Sequence, residues 1–450
     1  MKRLFTIAAG ILLMIGSVYA ETELETLAGS RLGEYIDVYT ELHATPELSY
    51  QEEHTSALVA QKLRDYGYEV AEGLGDYGIP GRVGYGVVGV LRNGEGPTVM
   101  VRTDLDALPV TEKTGLPYAS QVRVETETGV QTGVMHACGH DVHMTSFLGT
   151  AALLSSLRDR WQGTLLFVGQ PAEERGAGAK ALLSDGLYSR FPKPDYALGL
   201  HVHESIEAGK IGFCPGYALA NVDSVDITVR GIGGHGAYPH KTLDPIVLSA
   251  QMVLALQTIV SRTVSPLDPA VVTVGSIHGG TKHNIIPSEV RLQLTVRSYK
   301  PEVRRLVLDS IRRIVEETAL AAGVPPELKP TVAIAEEEYT PSTYNDPELT
   351  RRLVEVFRKE LGGQNVVQSD PVMAGEDFSR YRLEDNSVPS LMFWLGTIGP
   401  ERAEQLQADG HPAPPLHSDQ FTPTPEPTIL TGMRAMTAAV LELMGKGKTQ

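Results

Sequence analysis

Short, almost wholly apolar runs that stop at turns recur through the first half of the chain, at 84–92, 98–103, 164–169 and 195–200. A run with no alternation reads as a strand buried on both faces. Between these runs the apolar positions switch to helical spacing, at 52–67, 140–157 and 178–186. Alternation of this kind predicts an α/β domain, a sheet covered by helices on both faces.

The pattern changes at 221–335. Residues 222–231 alternate with period two, as a half-buried strand does. Residues 244–262 read as a helix opened by Asp244, with Pro245 in its first turn. Strands at 270–279 and 289–299, a helix at 301–323 and a strand at 328–338 follow. The order β-α-β-β-α-β is the ferredoxin-like unit. The α/β pattern then resumes with a helix at 346–362, a strand at 390–396 and a final helix at 426–445. Before that helix runs a long Pro-rich loop, "HPAPPLHSDQFTPTP", and loops of that length in compact domains are often functional. The expected organisation is a catalytic domain from 21–220 and 339–450, interrupted by an inserted domain at 221–338.

Residues 1–20, "MKRLFTIAAGILLMIGSVYA", have the layout of a secretory signal: Lys2 and Arg3, a short apolar run, and a small residue at Ala20. The run is shorter than the roughly 20 residues a bilayer span needs. The mature chain is therefore expected to be exported, periplasmic or secreted. No further segment reads as apolar enough to span, so no stable membrane span is expected after cleavage. The formal charge is −16, and removing Lys2 and Arg3 takes it to −18. A surface this acidic repels phosphate backbones and argues against nucleic-acid partners.

Each apolar strand of the larger domain runs straight into chemistry. Residues 98–103 lead to Asp104 and Asp106, 164–169 to Glu173 and Glu174, and 195–200 to His201 and His203. Sites in open α/β sheets form beyond the carboxyl ends of strands. The nonapeptide "MHACGHDVH" (135–143) sets Cys138 and His140 at the start of a predicted helix, where the positive end of the dipole favours a thiolate. Cys138, His140, Glu174 and His201 are candidate metal ligands, and His417 from the Pro-rich loop can complete the set. Four ligands suffice for one zinc. Five, with spare carboxylates, suggest two divalent ions roughly 3.5–4 Å apart with one bridging ligand. A thiolate can bridge. Zinc or manganese is expected, with cobalt or nickel also compatible with these donors. Cys138 and Cys214 are the two cysteines. Export would favour a disulfide between them, but a ligand role for Cys138 competes with it. A metal-free Cys138 is expected to oxidise readily. "GYGVVG" (84–89) matches a dinucleotide fingerprint only in spacing, since it lies in a strand.

The stretches "LHATPELSYQE", "RTDLDALPV", "MHACGHDVHM", "QPAEERGAGAKALLSDG", "GLHVHE", "GGHGAYPH", "NIIPSEVRLQLTVRS", "MAGEDFSRY" and "PLHSDQF" cover nearly the whole chain in order. In them the chain resembles the N-acyl-amino-acid amidohydrolases, hippurate hydrolase and the auxin-conjugate hydrolases, within the aminoacylase and carboxypeptidase group of co-catalytic metallopeptidases. The resemblance implies a catalytic α/β domain with an inserted lid or dimerisation domain, and a homodimer or higher homo-oligomer. It implies the ligands Cys138, His140, Glu174, His201 and His417, with Cys138 where the wider group has a bridging aspartate. Asp104 stands where other branches use a metal-binding histidine. Glu173 resembles the general base and Asp106 the acid that orients a ligand or a metal. His235 resembles the residue that stabilises the oxyanion, from its own or the partner subunit, and Asn284 and Arg297 resemble contacts to the substrate carboxylate. His43, His136 and His143 match family positions and are read as supporting residues. The implied reaction is hydrolysis of an N-acyl amino acid to a carboxylic acid and an amino acid. A dipeptidase or carboxypeptidase of the same fold, or a binding protein that does not cut, are the alternatives.

Overall fold

The computed structural model of the chain describes residues 22–126, 129–383, 385–410 and 412–445. The segment read as an export signal lies outside them. The strands of the two main sheets, in chain order, are β1 (Glu69–Leu74), β2 (Gly86–Asn93), β3 (Thr98–Asp104), β4 (Gly163–Gln170), β5 (Tyr196–Glu207) and β6 (Ile211–Phe213), then β7 (Asn221–Arg230), β8 (Ala270–Gly279), β9 (Glu289–Ser298) and β10 (Thr331–Ile334), and finally β11 (Val366–Gln368) and β12 (Ser390–Ile398). They form one sheet of order β1-β2-β4-β3-β5-β12-β6-β11 and a second of order β8-β9-β7-β10. The longer helices are α1 (Leu32–Ala44), α2 (Glu53–Asp65), α3 (His140–Ser156), α4 (Pro245–Thr258), α5 (Pro301–Ala321), α6 (Pro347–Leu361) and α7 (Pro425–Met444).

The central strands β4, β3, β5 and β12 of the large sheet are mutually parallel, so their carboxyl ends share one edge. The register aligns their chemistry. Asp104 pairs with Gln170, and Val101 pairs with Leu198, each three residues short of Asp104 and His201. Successive strand residues point to opposite faces. Val99 and Val101 enter the core shared with α1, α2, α3, α6 and α7, whereas Met100 enters the core on the other face. Helix α3 is buried on every side from His140 to Leu154, so it carries no amphipathic stripe. It sits close against α7 at Gly149, where a Cβ would lie 2.6 Å from Met433 Cγ.

In the second sheet β7 keeps the period-two burial that its sequence predicts, and Val225, Ile227 and Val229 pack with residues of β9, α4 and α5. Asp244 caps α4 by accepting from the N–H groups of Ile246 and Val247. The helix predicted over 244–262 ends at Thr258 and continues as a π-turn to Thr263. One expectation needs correction here. Residues Pro245–Thr263 are long and apolar enough to cross a membrane, with mean hydropathy 1.3. The reason is that the helix has two apolar faces. Leu248, Met252, Leu256 and Ile259 pack into the small domain's core, while Val247, Leu254 and Val260 are exposed.

Candidate active site

At the carboxyl edge of the parallel strands, the loop before α3 carries Cys138. The N-cap Gly139 is in the left-handed region (φ 73°), and a Cβ there would lie 2.7 Å from Val202 Cγ2. Glycine therefore allows Cys138 and His140 to approach β5. The ligand atoms of Cys138, His140 and His201 all lie within 4.8 Å of one another, and so do those of Cys138, Glu174 and His417. Each set can hold one metal ion, and the sulfur belongs to both.

The hydrogen bonds around the histidines select the free nitrogen. His140 Nδ1 donates to the Asp106 carbonyl at 2.7 Å, which leaves Nε2 as the lone-pair atom. His201 Nδ1 donates to the Val202 carbonyl at 2.8 Å, and its Nε2 lies 3.6 Å from Cys138 Sγ. Partners of this kind fix the tautomer of a ligating histidine. His143 is different. Its Nδ1 meets Asp104 Oδ1 at 2.8 Å and its Nε2 accepts from Val202 N at 2.9 Å, so both nitrogens are committed. His43 is held by Asp141 and Glu112 at 2.7 and 3.1 Å, while neither ring nitrogen of the buried His136 has a partner among the described residues. His417 comes in on the Pro-rich loop with positive φ (66°), fixed by its N–H to the Ala137 carbonyl. Its side chain is 56% exposed.

Asp106 organises the loop after β4. Its carboxylate accepts the backbone N–H groups of Glu173 and Glu174 at 3.1 and 3.0 Å and the Ser49 hydroxyl at 2.6 Å. It thus orients one candidate ligand through its carbonyl and two candidate active-site carboxylates through its side chain. The strained turn begins at Ala172 (φ 51°), whose N–H donates to Glu52.

The charge balance of the pocket suits cations. Burial, and then the carboxylates of Glu376, Glu174 and Asp377, push Glu173 well above the ordinary range. Burial lifts Glu174 to about 7 despite the neighbouring His140. Cys138 was expected to be a thiolate because of the helix end. The protein alone drives it the other way: burial, Glu174, Glu173 and Asp104 all raise it well above the usual thiol value. The roughly half charge of a helix end is outweighed by burial together with the neighbouring acids. His140 Nε2 and Glu174 Oε1 are buried without a hydrogen-bond partner among the described residues. Buried polar atoms are seldom left unpaired, and a divalent ion would satisfy both while neutralising the carboxylates. The donor set of thiolate, imidazole and carboxylate fits such ions. Cys138 and Cys214 are both free thiols, so no disulfide joins them.

A cavity of about 830 Å³ opens over this edge, lined among others by Cys138, Glu173, Glu174, His201, His417, Arg297, Glu376 and Trp394. Arg297 donates to the Thr295 hydroxyl and the Met373 carbonyl and has no carboxylate partner among the described residues. His235 and Asn284 are not brought to this cavity. They lie together and exposed beside the two-stranded ladder of Gly234–His235 with Ile285–Ile286, joined by Gly236 N–H to the Asn284 carbonyl. Within one chain neither residue lines the cavity that holds the candidate ligands.

An acidic network centred on Arg102 lies beside the candidate ligands and was not among the sequence candidates. This fully buried guanidinium donates to Gln170, Asp104 and Glu376 at 2.9 Å and to Asp377 at 3.2 Å. Its one signal was an arginine inside the apolar run 98–103, which demands buried acids somewhere else in the chain.

The profile of a family described as Peptidase family M20/M25/M40 matches residues 100–440. Thermostable carboxypeptidase 1 of Saccharolobus solfataricus is 39% identical over 365 residues, 80% of this chain and 85% of that protein. Hippurate hydrolase of Campylobacter jejuni is 38% identical over 348 residues, 77% and 84% of the two chains. The crystal structure of the Bacillus subtilis protein YxeP, described as a dinuclear metal-binding peptidase, matches with a TM-score of 0.70 at 28% identity, over 92% of this chain and 98% of that one.

Proposed function

The chain belongs to peptidase family M20/M25/M40 and is a hydrolase of amide bonds, and from that premise we propose that it cleaves N-acyl amino acids, hippurate-like conjugates among them, to a carboxylic acid and a free amino acid. The observation that carries the reading is Arg297. A guanidinium without a carboxylate partner faces the same cavity as Glu173 and both ligand clusters, which suits a substrate with a free carboxylate near its scissile amide. Cys138, His140 and His201 would hold one divalent ion, and Cys138, Glu174 and His417 the second, with zinc or manganese favoured. Such ions acidify water and polarise a carbonyl. Glu173 takes the proton of the attacking water and passes it to the leaving nitrogen.

His235 and Asn284 serve the cavity of a partner subunit in this reading. The exposed apolar face of α4, with Val247 54% and Leu254 72% exposed, supports a homodimer that covers it. The inserted domain then acts as the dimerisation element. Export through residues 1–20 remains part of the proposal. A role in binding without cutting is not favoured, because Glu173 stands beside both ligand clusters.

The test is a panel of acetyl-, benzoyl- and long-chain acyl amino acids, their carboxyl-blocked amides and simple dipeptides, offered to the protein loaded with zinc or manganese. Cleavage of the free acids is expected, with kcat/KM at least about tenfold lower for the blocked forms. Cleavage of dipeptides alone would favour the second reading, a dipeptidase or carboxypeptidase, for which the similarity to a thermostable carboxypeptidase speaks.

A further inference from the structure

Glu376 is held in place from one side only. Its Oε1 accepts from Arg102 Nη2 at 2.9 Å and from the Phe378 N–H at 2.8 Å. Its Oε2 is buried and has no hydrogen-bond partner among the described residues, and the side chain is 1% exposed. Leaving a buried carboxylate oxygen unpaired is costly, so such an atom calls for an explanation. Glu376 lines the cavity that holds Cys138, His201 and Glu174, so the missing donor can come from a bound molecule.

The neighbour that limits the choice is Glu173. One carboxylate oxygen each of Glu173, Glu376 and Asp377 lies within 4.8 Å of the others. Two acceptors at that separation can both reach a single nitrogen at about 2.9 Å, with an angle at the nitrogen of up to about 112°. That range includes the angle between two substituents of a nitrogen becoming tetrahedral. A cation among the three is disfavoured, because Arg102 already donates to both Glu376 and Asp377, and Asp377 also accepts from Gln170 and the Ala179 N–H.

We infer that Glu376 Oε2 accepts the N–H of the scissile amide, which makes Glu376 a catalytic residue that selects secondary amides. The inference rests on the proposed N-acyl amino acid hydrolysis. As Glu173 delivers a proton to the nitrogen and the C–N bond breaks, the nitrogen gains positive character. The hydrogen bond to the Glu376 carboxylate strengthens at that moment, which is what a rate-enhancing contact requires. An ester offers a lone pair where the amide offers N–H, and an N-methyl amide offers a methyl group. Neither can satisfy Oε2.

The experiment compares wild type with Glu376→Gln on three substrates: N-benzoylglycine, its ester counterpart O-benzoylglycolate, and N-benzoyl-N-methylglycine, or the same trio built on the acyl amino acid that is turned over fastest. Glutamine keeps an oxygen for Arg102 and Phe378 and puts an NH₂ where Oε2 stands. Amide kcat/KM is expected to fall about 10–100-fold while ester kcat/KM holds or rises. Equal losses on amide and ester, or no loss on either, overturn the inference. Wild type alone supplies a check that needs no variant: hydrolysis of the N-methyl amide as fast as of its parent also overturns it. Failure of metal-loaded wild type to cleave any N-acyl amino acid refutes the proposed function itself and takes this inference with it, a result distinct from equal losses in the variant.

Discussion

His140 and Asp106 are joined through the main chain: the imidazole Nδ1–H donates to the Asp106 carbonyl at 2.7 Å, while the Asp106 carboxylate holds the N–H groups of Glu173 and Glu174. One residue therefore sets a candidate ligand on α3 and the two carboxylates after β4 in a common frame. Asp106→Ala keeps the carbonyl and removes the carboxylate. It is expected to weaken metal binding by about 10–100-fold, as loss of a ligand's supporting partner does. Metal titration of the variant followed by calorimetry measures this, and unchanged affinity would refute the role.

Glu173→Gln separates proton transfer from metal holding. kcat should drop by about 10²–10⁴, with two ions still bound per chain by elemental analysis. Loss of an ion together with activity would make Glu173 a ligand instead of the base.

Stability should respond to pH through His43. Burial pushes this histidine down, but its hydrogen bonds to Asp141 and Glu112 outweigh that and raise it to about 9. A raised folded value stabilises where the ring is charged, so the contribution is complete below about pH 6.5 and fades as pH rises through about 9. Burial pushes Asp141 and Glu112 up, yet the His43 hydrogen bond brings both below their ordinary values, so their share is lost only in acid. His43→Gln should thus destabilise by about 2–4 kcal/mol near pH 6 and by much less above pH 9. Denaturant titrations of both proteins across that range would show a constant gap if the ion pairs contribute nothing.

Gly139→Ala tests the left-handed cap. The new methyl meets Val202 Cγ2 at 2.7 Å in a backbone conformation that disfavours side chains. A loss of about 1–3 kcal/mol is expected, together with weaker metal binding, because Cys138 and His140 flank the turn. A Tm within a degree of wild type would show that the loop relaxes freely.

Subunit sharing is tested by mixing. Glu173→Gln and His235→Ala are each expected to be inactive. If His235 acts across a dimer, refolding them together restores about a quarter of the wild-type rate, since half the dimers carry one intact site. No recovery in mixed dimers would place His235 in its own subunit's reaction or outside it.

The strands of the large sheet were legible because strands buried on both faces write continuous apolar runs. The candidate ligands stood out because such strands end where the polarity changes, at Glu174 and His201. The Arg102 network was not legible, because its acids Glu376 and Asp377 are 274 and 275 residues away, at the start of a 3₁₀ segment whose sequence gives no strand to count from. Nor was the ionisation of Cys138. A helix start is visible in sequence, but the carboxylates that outweigh it arrive from other elements. The position of His235 depends on where a whole domain sits, and no local pattern encodes that.

The same crowding of carboxylates bears on how the protein keeps in air. Oxidants attack the thiolate, and burial, with the neighbouring acids, pushes the Cys138 thiol well above its ordinary value. Metal-stripped protein should therefore survive storage with its sulfur intact and regain activity on reloading, contrary to the ready oxidation expected of a thiolate at a helix start. The acids that make the pocket hungry for cations also act as its preservative.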